Sequence, residues 1–211
     1  MAVRPIVITG EPVLHRPAAR VESFDDGLRE LVADMYETMD AAHGVGLAAP
    51  QIGVALRLFV YEMANDDDVP ARGVVVNPML SLSKISADRP DPDTESEGCL
   101  SVPGESFPLK RADRVTVVGF DAAGEELSFQ ATGWFARVMQ HEFDHLNGLL
   151  YVDRLDPKQS KRARKAIREN GWGKGGHTWL PGVDRDPFGH DDEPEGEDAH
   201  LDAAGHDERL V

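Results

Sequence analysis

Cysteine is nearly absent from this 211-residue chain. Cys99 stands alone, so no intrachain disulfide can form, and a reducing compartment is expected. Aromatic residues are sparse at 7%, so the core must be built mainly from aliphatic side chains. No apolar run is long enough to span a bilayer, and the opening Met1-Ala2-Val3-Arg4-Pro5-Ile6-Val7 lacks a signal-peptide core. Positive charge is also scarce. Twenty-two Lys and Arg face 38 Asp and Glu, a net charge of −16 that argues against nucleic-acid binding over the whole surface. These deficits together point to a soluble, cytoplasmic protein without a membrane partner.

What is present reads as one domain with a tail. Leu28, Leu31, Val32, Met35 and Met39 recur at helical spacing after Ser23, a candidate N-cap, and Gly44 can close that helix. Strand-like runs follow at Arg57–Tyr61 and Gly73–Asn77, with the polar segment Asn65-Asp66-Asp67-Asp68 between them. Val115–Phe120 and Glu126–Ala131 flank Asp121-Ala122-Ala123-Gly124 as an antiparallel hairpin. A second helix is expected from Thr132 or Gly133 to Gly148, and Asp156-Pro157 opens a third that ends near Asn170-Gly171. Strands and helices in this order make an α+β fold. Residues 1–182 are expected to form a single domain, and 183–211 an acidic tail too poor in apolar groups to order itself.

The second helix carries Gln140-His141-Glu142-Phe143-Asp144-His145-Leu146. Two imidazoles four residues apart lie on one helix face and can reach one metal ion, with Glu142 beside it to move a proton. An exposed histidine pair would ordinarily be a solvated face. Here Phe135, Val138, Met139, Phe143 and Leu146 draw the helix toward the core, where a charged Glu142 needs a metal or a donor. A catalytic metal still lacks a third protein ligand. Downstream, Glu169 is a formal candidate on a very basic helix. Upstream, Cys99 could supply a thiolate, or it could be a buried structural cysteine. Spacing alone leaves the choice open.

Three separated segments resemble the motifs of the peptide deformylase family, in the family's order. They are Gly44-Val45-Gly46-Leu47-Ala48-Ala49-Pro50-Gln51, Glu97-Gly98-Cys99-Leu100-Ser101 and Gln140-His141-Glu142-Phe143-Asp144-His145. The resemblance implies a fold of short antiparallel strands around a central helix bearing the His-Glu-x-x-His run. It implies removal of the N-formyl group from the initiator methionine of nascent polypeptides, with release of formate. Cys99, His141 and His145 would hold the metal, Fe²⁺ natively, with Zn²⁺, Ni²⁺ or Co²⁺ as substitutes. Glu142 would be general base and acid, and the Gln51 amide and Leu100 backbone N–H would stabilise the oxyanion. Gly46 would pair through its backbone with an extended N-formyl-methionyl peptide. Val45 and Val138, with Trp134 at their edge, are candidates for the methionine pocket. Phe143 occupies a variable position, and Pro50 restricts the backbone before Gln51.

Two further expectations follow. The helix over 157–170 bears Lys158, Lys161, Arg162, Arg164, Lys165 and Arg168, either as a solvated face or, by the same resemblance, as a ribosome contact. Two rival functions remain on the residues alone. A zincin-like metallopeptidase cutting internal peptide bonds would need a downstream ligand in place of Cys99. A degenerate, non-catalytic family member would have lost a reacting group, and none is missing.

Overall fold

In the computed structural model, which describes residues 2–64 and 70–189, the chain begins as the short strand β1 (Ile6–Val7) and a 3-10 turn, Pro12–His15. Helix α1 (Asp26–Ala41) follows, capped by the Asp25 side chain on the Leu28 N–H rather than by Ser23. Asp25 lies two residues closer than Ser23 to the first free N–H groups, and its carboxylate takes the cap. The far end also differs from expectation. His43, not Gly44, takes the left-handed conformation (φ 53°), while Gly44 N–H reaches Met39 O and His43 N–H reaches Asp40 O. That is a Schellman closure with histidine at the left-handed position.

A five-stranded antiparallel sheet forms the centre, in the order β2 (Gly46–Ala48), β3 (Leu58–Ala64), β4 (Pro70–Leu82), β7 (Arg114–Phe120), β8 (Glu126–Thr132). The expected hairpin is there, with Arg114 opposite Thr132 and Phe120 opposite Glu126. β3 and β4 run longer than the sequence suggests, and their register explains why. Leu58 and Val60 face one core cluster while Phe59 faces another, and Val76 and Val75 divide in the same way. A strand buried on both faces loses the alternation that marks its ends. A bulge between Val76 and Met79 places Asn77 at φ 52°, where its side chain brackets the backbone N–H and C=O of Val21 at 2.9 Å each. The segment Asn65-Asp66-Asp67-Asp68 lies outside the described residues.

Helix α1 covers one face of this sheet and α2 (Gly133–Leu146) the other, with Met35 and Met39 in the first cluster and Val138, Met139 and Leu146 in the second. Two small ribbons complete the chain: β5 (Ser96–Glu97) with β6 (Phe107–Pro108), and β1 with β9 (Thr178–Trp179). Helix α3 (Pro157–Glu169) starts where expected, Asp156 capping the Lys158 and Gln159 N–H groups, and packs through Ala163 and Ile167 on a third cluster around Cys99, Leu150 and Tyr151. Among the described residues no helix is long and apolar enough to cross a membrane.

The chain start is tied to α1 by Asp34, which accepts from Ala2 N–H at 2.7 Å and from Arg4 Nε and Nη2 at 2.8 and 2.6 Å. Burial alone would raise the Asp34 carboxyl, but the Arg4 and Ala2 bonds outweigh it and hold the group below its usual range. A carboxylate with a depressed folded-state pKa stabilises fully above its unfolded value of about 3.9 and loses that contribution as pH falls through the folded value. Wild type is therefore expected to melt above Asp34→Asn at pH 6, with the gap closing below pH 4. A gap that is flat with pH contradicts this. Arg4 is half exposed, so the effect is small.

Candidate metal centre and its buried charge network

Three segments distant in sequence converge at α2. The helix presents His141 and His145 one turn apart, with ring centroids separated by 5.0 Å. The turn after β5 delivers Cys99, whose Sγ lies 3.4 Å from His145 Nε2. One ligand atom from each of Cys99, His141 and His145 falls within 4.8 Å of the others, all three residues are buried, and no other such cluster occurs among the described residues. Glu169, the downstream candidate, stands instead on the exposed surface of α3, 3.6 Å from Lys165.

The chemistry of these donors fits a divalent cation. His141 Nδ1 lies 3.0 Å from Glu97 Oε2, which fixes the proton on that nitrogen and leaves the lone pair on Nε2. His141 Nε2 is buried with no hydrogen-bond partner, as are both Glu142 oxygens. Burial, reinforced by His141 and Arg111, pushes the His145 imidazole well below its usual range, so it stays neutral and able to donate. Burial pushes the Cys99 thiol well up; backbone N–H groups of Ser101 and Val102 oppose this, and the nearby Glu142 and Glu97 add to it. A thiol so placed ionises when a metal cation supplies the missing positive charge.

Gln51 sits in the 3-10 turn Ala49–Ile52 that follows β2. Its Oε1 accepts from Ala48 N–H at 2.8 Å, which turns its amide nitrogen toward Cys99 Sγ, 3.8 Å away. Pro50 is the second residue of this turn, directly before Gln51. Leu100 follows Cys99 directly and is fully buried. Gly46 has a second reason to be glycine: a Cβ there would meet Glu142 Oε1 at 2.5 Å and its Cδ at 2.9 Å. Burial raises the Glu142 carboxyl well above its ordinary range, Glu97 adds to that, and Arg111 opposes it. Gly46→Ala is accordingly expected to displace Glu142 and cut turnover by about tenfold or more while metal content holds. Metal analysis beside kcat checks this, and unchanged kcat contradicts it. Val45 and Val138 lie in the packed cluster between α2 and the sheet, whereas Trp134, one helix face along, is 40% exposed over Arg137.

Behind the three ligand candidates runs a charged network that the sequence reading did not single out. Arg111 donates to Glu97 through Nε and Nη2, each at 2.9 Å, and to Asp144 through Nη1 at 2.5 Å. Arg137 donates to Glu97 at 2.6 Å and to the Leu109 carbonyl at 2.7 Å. Arg154 closes the other end, with two 2.5 Å bonds to Asp144. Burial alone would raise Glu97, yet Arg111 and His141 hold it far below the carboxylate range. Gln140 adds a neutral clamp to the Ala112 N–H and C=O at 3.0 and 2.8 Å. One signal was available in the sequence. Arg137 and Asp144 share the helix face of His141 at spacings of four and three, and charges on a buried face must be paired.

Known proteins resemble this chain in both sequence and fold. A family model described as polypeptide deformylase matches residues 3–161. The chain is similar to the peptide deformylases of Mycolicibacterium paratuberculosis and Mycobacterium marinum, with 55% and 54% identity over 197 residues, 90% of this chain and 100% of each relative. Among solved structures, a peptide deformylase from Legionella pneumophila superposes with a TM-score of 0.70 at 40% identity, covering 81% of this chain and 96% of that one. Another, from Synechococcus elongatus in complex with actinonin, gives 0.68 at 35%, covering 79% of this chain and 85% of that one. The α+β expectation holds, and the chain belongs to the polypeptide deformylase family.

Proposed function

We propose that this chain hydrolyses the N-formyl group of the initiator methionine on nascent polypeptides with a metal ion held by Cys99, His141 and His145. The observation that carries the reading is the convergence of those three donors within 4.8 Å, beside an unpaired, buried Glu142. When bound by Cys99, His141 and His145, a divalent cation would supply Lewis acidity to the formyl carbonyl and to the attacking water. Glu142 takes a proton from that water and returns it to the departing peptide nitrogen. The Gln51 amide and the Leu100 N–H donate to the oxygen that gains charge as the formyl carbon becomes tetrahedral. Gly46, on the free edge of β2, offers its backbone to an extended peptide, a strand-addition geometry. Val45 and Val138 form the wall against the methionine side chain. Fe²⁺ is the proposed ion, with Zn²⁺, Ni²⁺ or Co²⁺ able to replace it, since thiolate and imidazole suit all four.

A metallopeptidase reading is not favoured, because its downstream ligand Glu169 lies on the surface. Cys99→Ala separates the two functions. Loss of bound metal together with formate release supports the Cys99 site, and retention of stoichiometric metal contradicts it. Residues 1–182 act as one catalytic unit in the cytoplasm, and the acidic tail begins at 183. Residues 190–211 of that tail lie outside the described residues. Lys158, Lys161, Arg162, Arg164, Lys165 and Arg168 are all exposed on α3. They offer the ribosome a basic face, with an attraction that salt screens. Co-sedimentation with ribosomes should fall when these charges are reversed, and an unchanged fraction contradicts the contact.

A further inference from the structure

Residues 171–189 play no part in the roles assigned so far, yet they run against the turn that carries Cys99 and Leu100. Gly173 N–H donates to the Thr9 carbonyl at 3.2 Å, and a Cβ at Gly10 would fall 2.6 Å from the Gly173 backbone, so the two segments cross in contact. β9 then pairs with β1, Ile6 opposite Trp179 and Val7 opposite Thr178. The Trp179 indole is buried in the cluster that holds Ile6, Met39 and Leu100, and Phe188 packs edge-on against it at 6.0 Å. Its Nε1–H donates to the Leu100 carbonyl at 3.0 Å, and one residue further on Thr9 N–H donates to the Ser101 carbonyl at 2.8 Å.

We infer that Trp179 is a positioning residue for deformylation: its indole N–H fixes the Leu100 peptide and thereby aims the Leu100 N–H and the adjoining Cys99 thiol. This rests on the roles proposed for those two residues. Leu100 Cα joins two peptide planes. The plane on its carbonyl side is held by Trp179, and its side chain is fully buried, with Cδ1 close against Gly44. The turn is closed by Val102 N–H on the Cys99 carbonyl at 2.8 Å. With carbonyl, side chain and turn held, little rotation is left to the Leu100 N–H. Without the Trp179 donor the Leu100 carbonyl is left buried and unpaired, a state buried carbonyls rarely keep, and re-pairing it turns the backbone about Leu100 Cα against the plane that the Cys99 carbonyl shares with the Leu100 N–H. A donor serves an oxyanion only if it already points where the charge will develop. The segment after α3 is in this sense a brace behind the reaction site.

Trp179→Phe keeps an aromatic ring and removes only the donor. In the full-length, metal-loaded chain, kcat for formyl-Met-Ala is expected to fall about tenfold while KM stays within about twofold, as for a weakened oxyanion donor. Amide hydrogen exchange in residues 99–102 should speed up by about tenfold while α1 is unchanged. If the phenylalanine variant does not fold, benzothienylalanine at position 179, which replaces the N–H by sulfur in the same ring system, is read the same way. Unchanged kcat, or a kcat loss that only tracks the unfolded fraction, overturns the inference and leaves Trp179 a packing residue. If wild type itself releases no formate, the proposed function fails instead, and the exchange measurement alone decides the brace.

Discussion

Glu142→Gln is expected to lower kcat for formate release by about 10²–10⁴-fold, the usual weight of a positioned proton-transfer group. KM and metal content should barely move. The substitution keeps the side-chain volume in a site where both Glu142 oxygens are buried and Gly46 leaves no spare room. It removes the group proposed to accept the proton of the attacking water and donate it to the peptide nitrogen. Because Glu142 is not among the three clustered ligand residues, the bound metal should remain. Steady-state kinetics beside elemental analysis checks both halves. Near-normal turnover contradicts the role of Glu142, and loss of metal would show that Glu142 belongs to the ligand set.

Arg111→Met should be the most damaging change away from the reacting atoms. It leaves Glu97 and Asp144 buried with one guanidinium each in place of two. Removing one partner of a buried ion pair costs about 3–5 kcal/mol, because the other charge stays behind. Against a total stability of about 5–15 kcal/mol, that brings many domains close to unfolding. The same change loosens Glu97, which orients His141 through the 3.0 Å contact to Nδ1. Metal affinity should drop by about 10–100-fold, as for other residues that orient a ligand from behind. Urea denaturation and a chelator competition titration read the two effects separately. A stability change under about 0.5 kcal/mol, the size of an ordinary surface substitution, contradicts the network's importance.

Local features were the most legible. The spacing of His141 and His145 requires only a helix, and the hairpin around Asp121-Ala122-Ala123-Gly124 and the Asp156-Pro157 start depend on neighbouring residues alone. The third ligand was harder. Cys99 lies 42 residues before His141 in the numbering, and only tertiary packing separates it, beside the histidines, from Glu169 on the exposed surface. Glu97 is legible only as a neighbour of Cys99, because its partners Arg111, Arg137 and His141 reach it through tertiary packing. β3 and β4 extend past their strand-like runs in the sequence because both of their faces are buried. The β1–β9 ribbon was invisible for a related reason. Two-residue strands carry no period, and Ile6 meets Trp179 only through the return of the chain after α3.

Formate release from formyl-Met-Ala by the full-length chain, loaded anaerobically with Fe²⁺ and separately with Zn²⁺, tests the central claim most directly. Formate should appear in equal amount with free Met-Ala, and no cleavage should occur between methionine and alanine. Absence of formate with both metals, or cleavage of the internal bond, would contradict it.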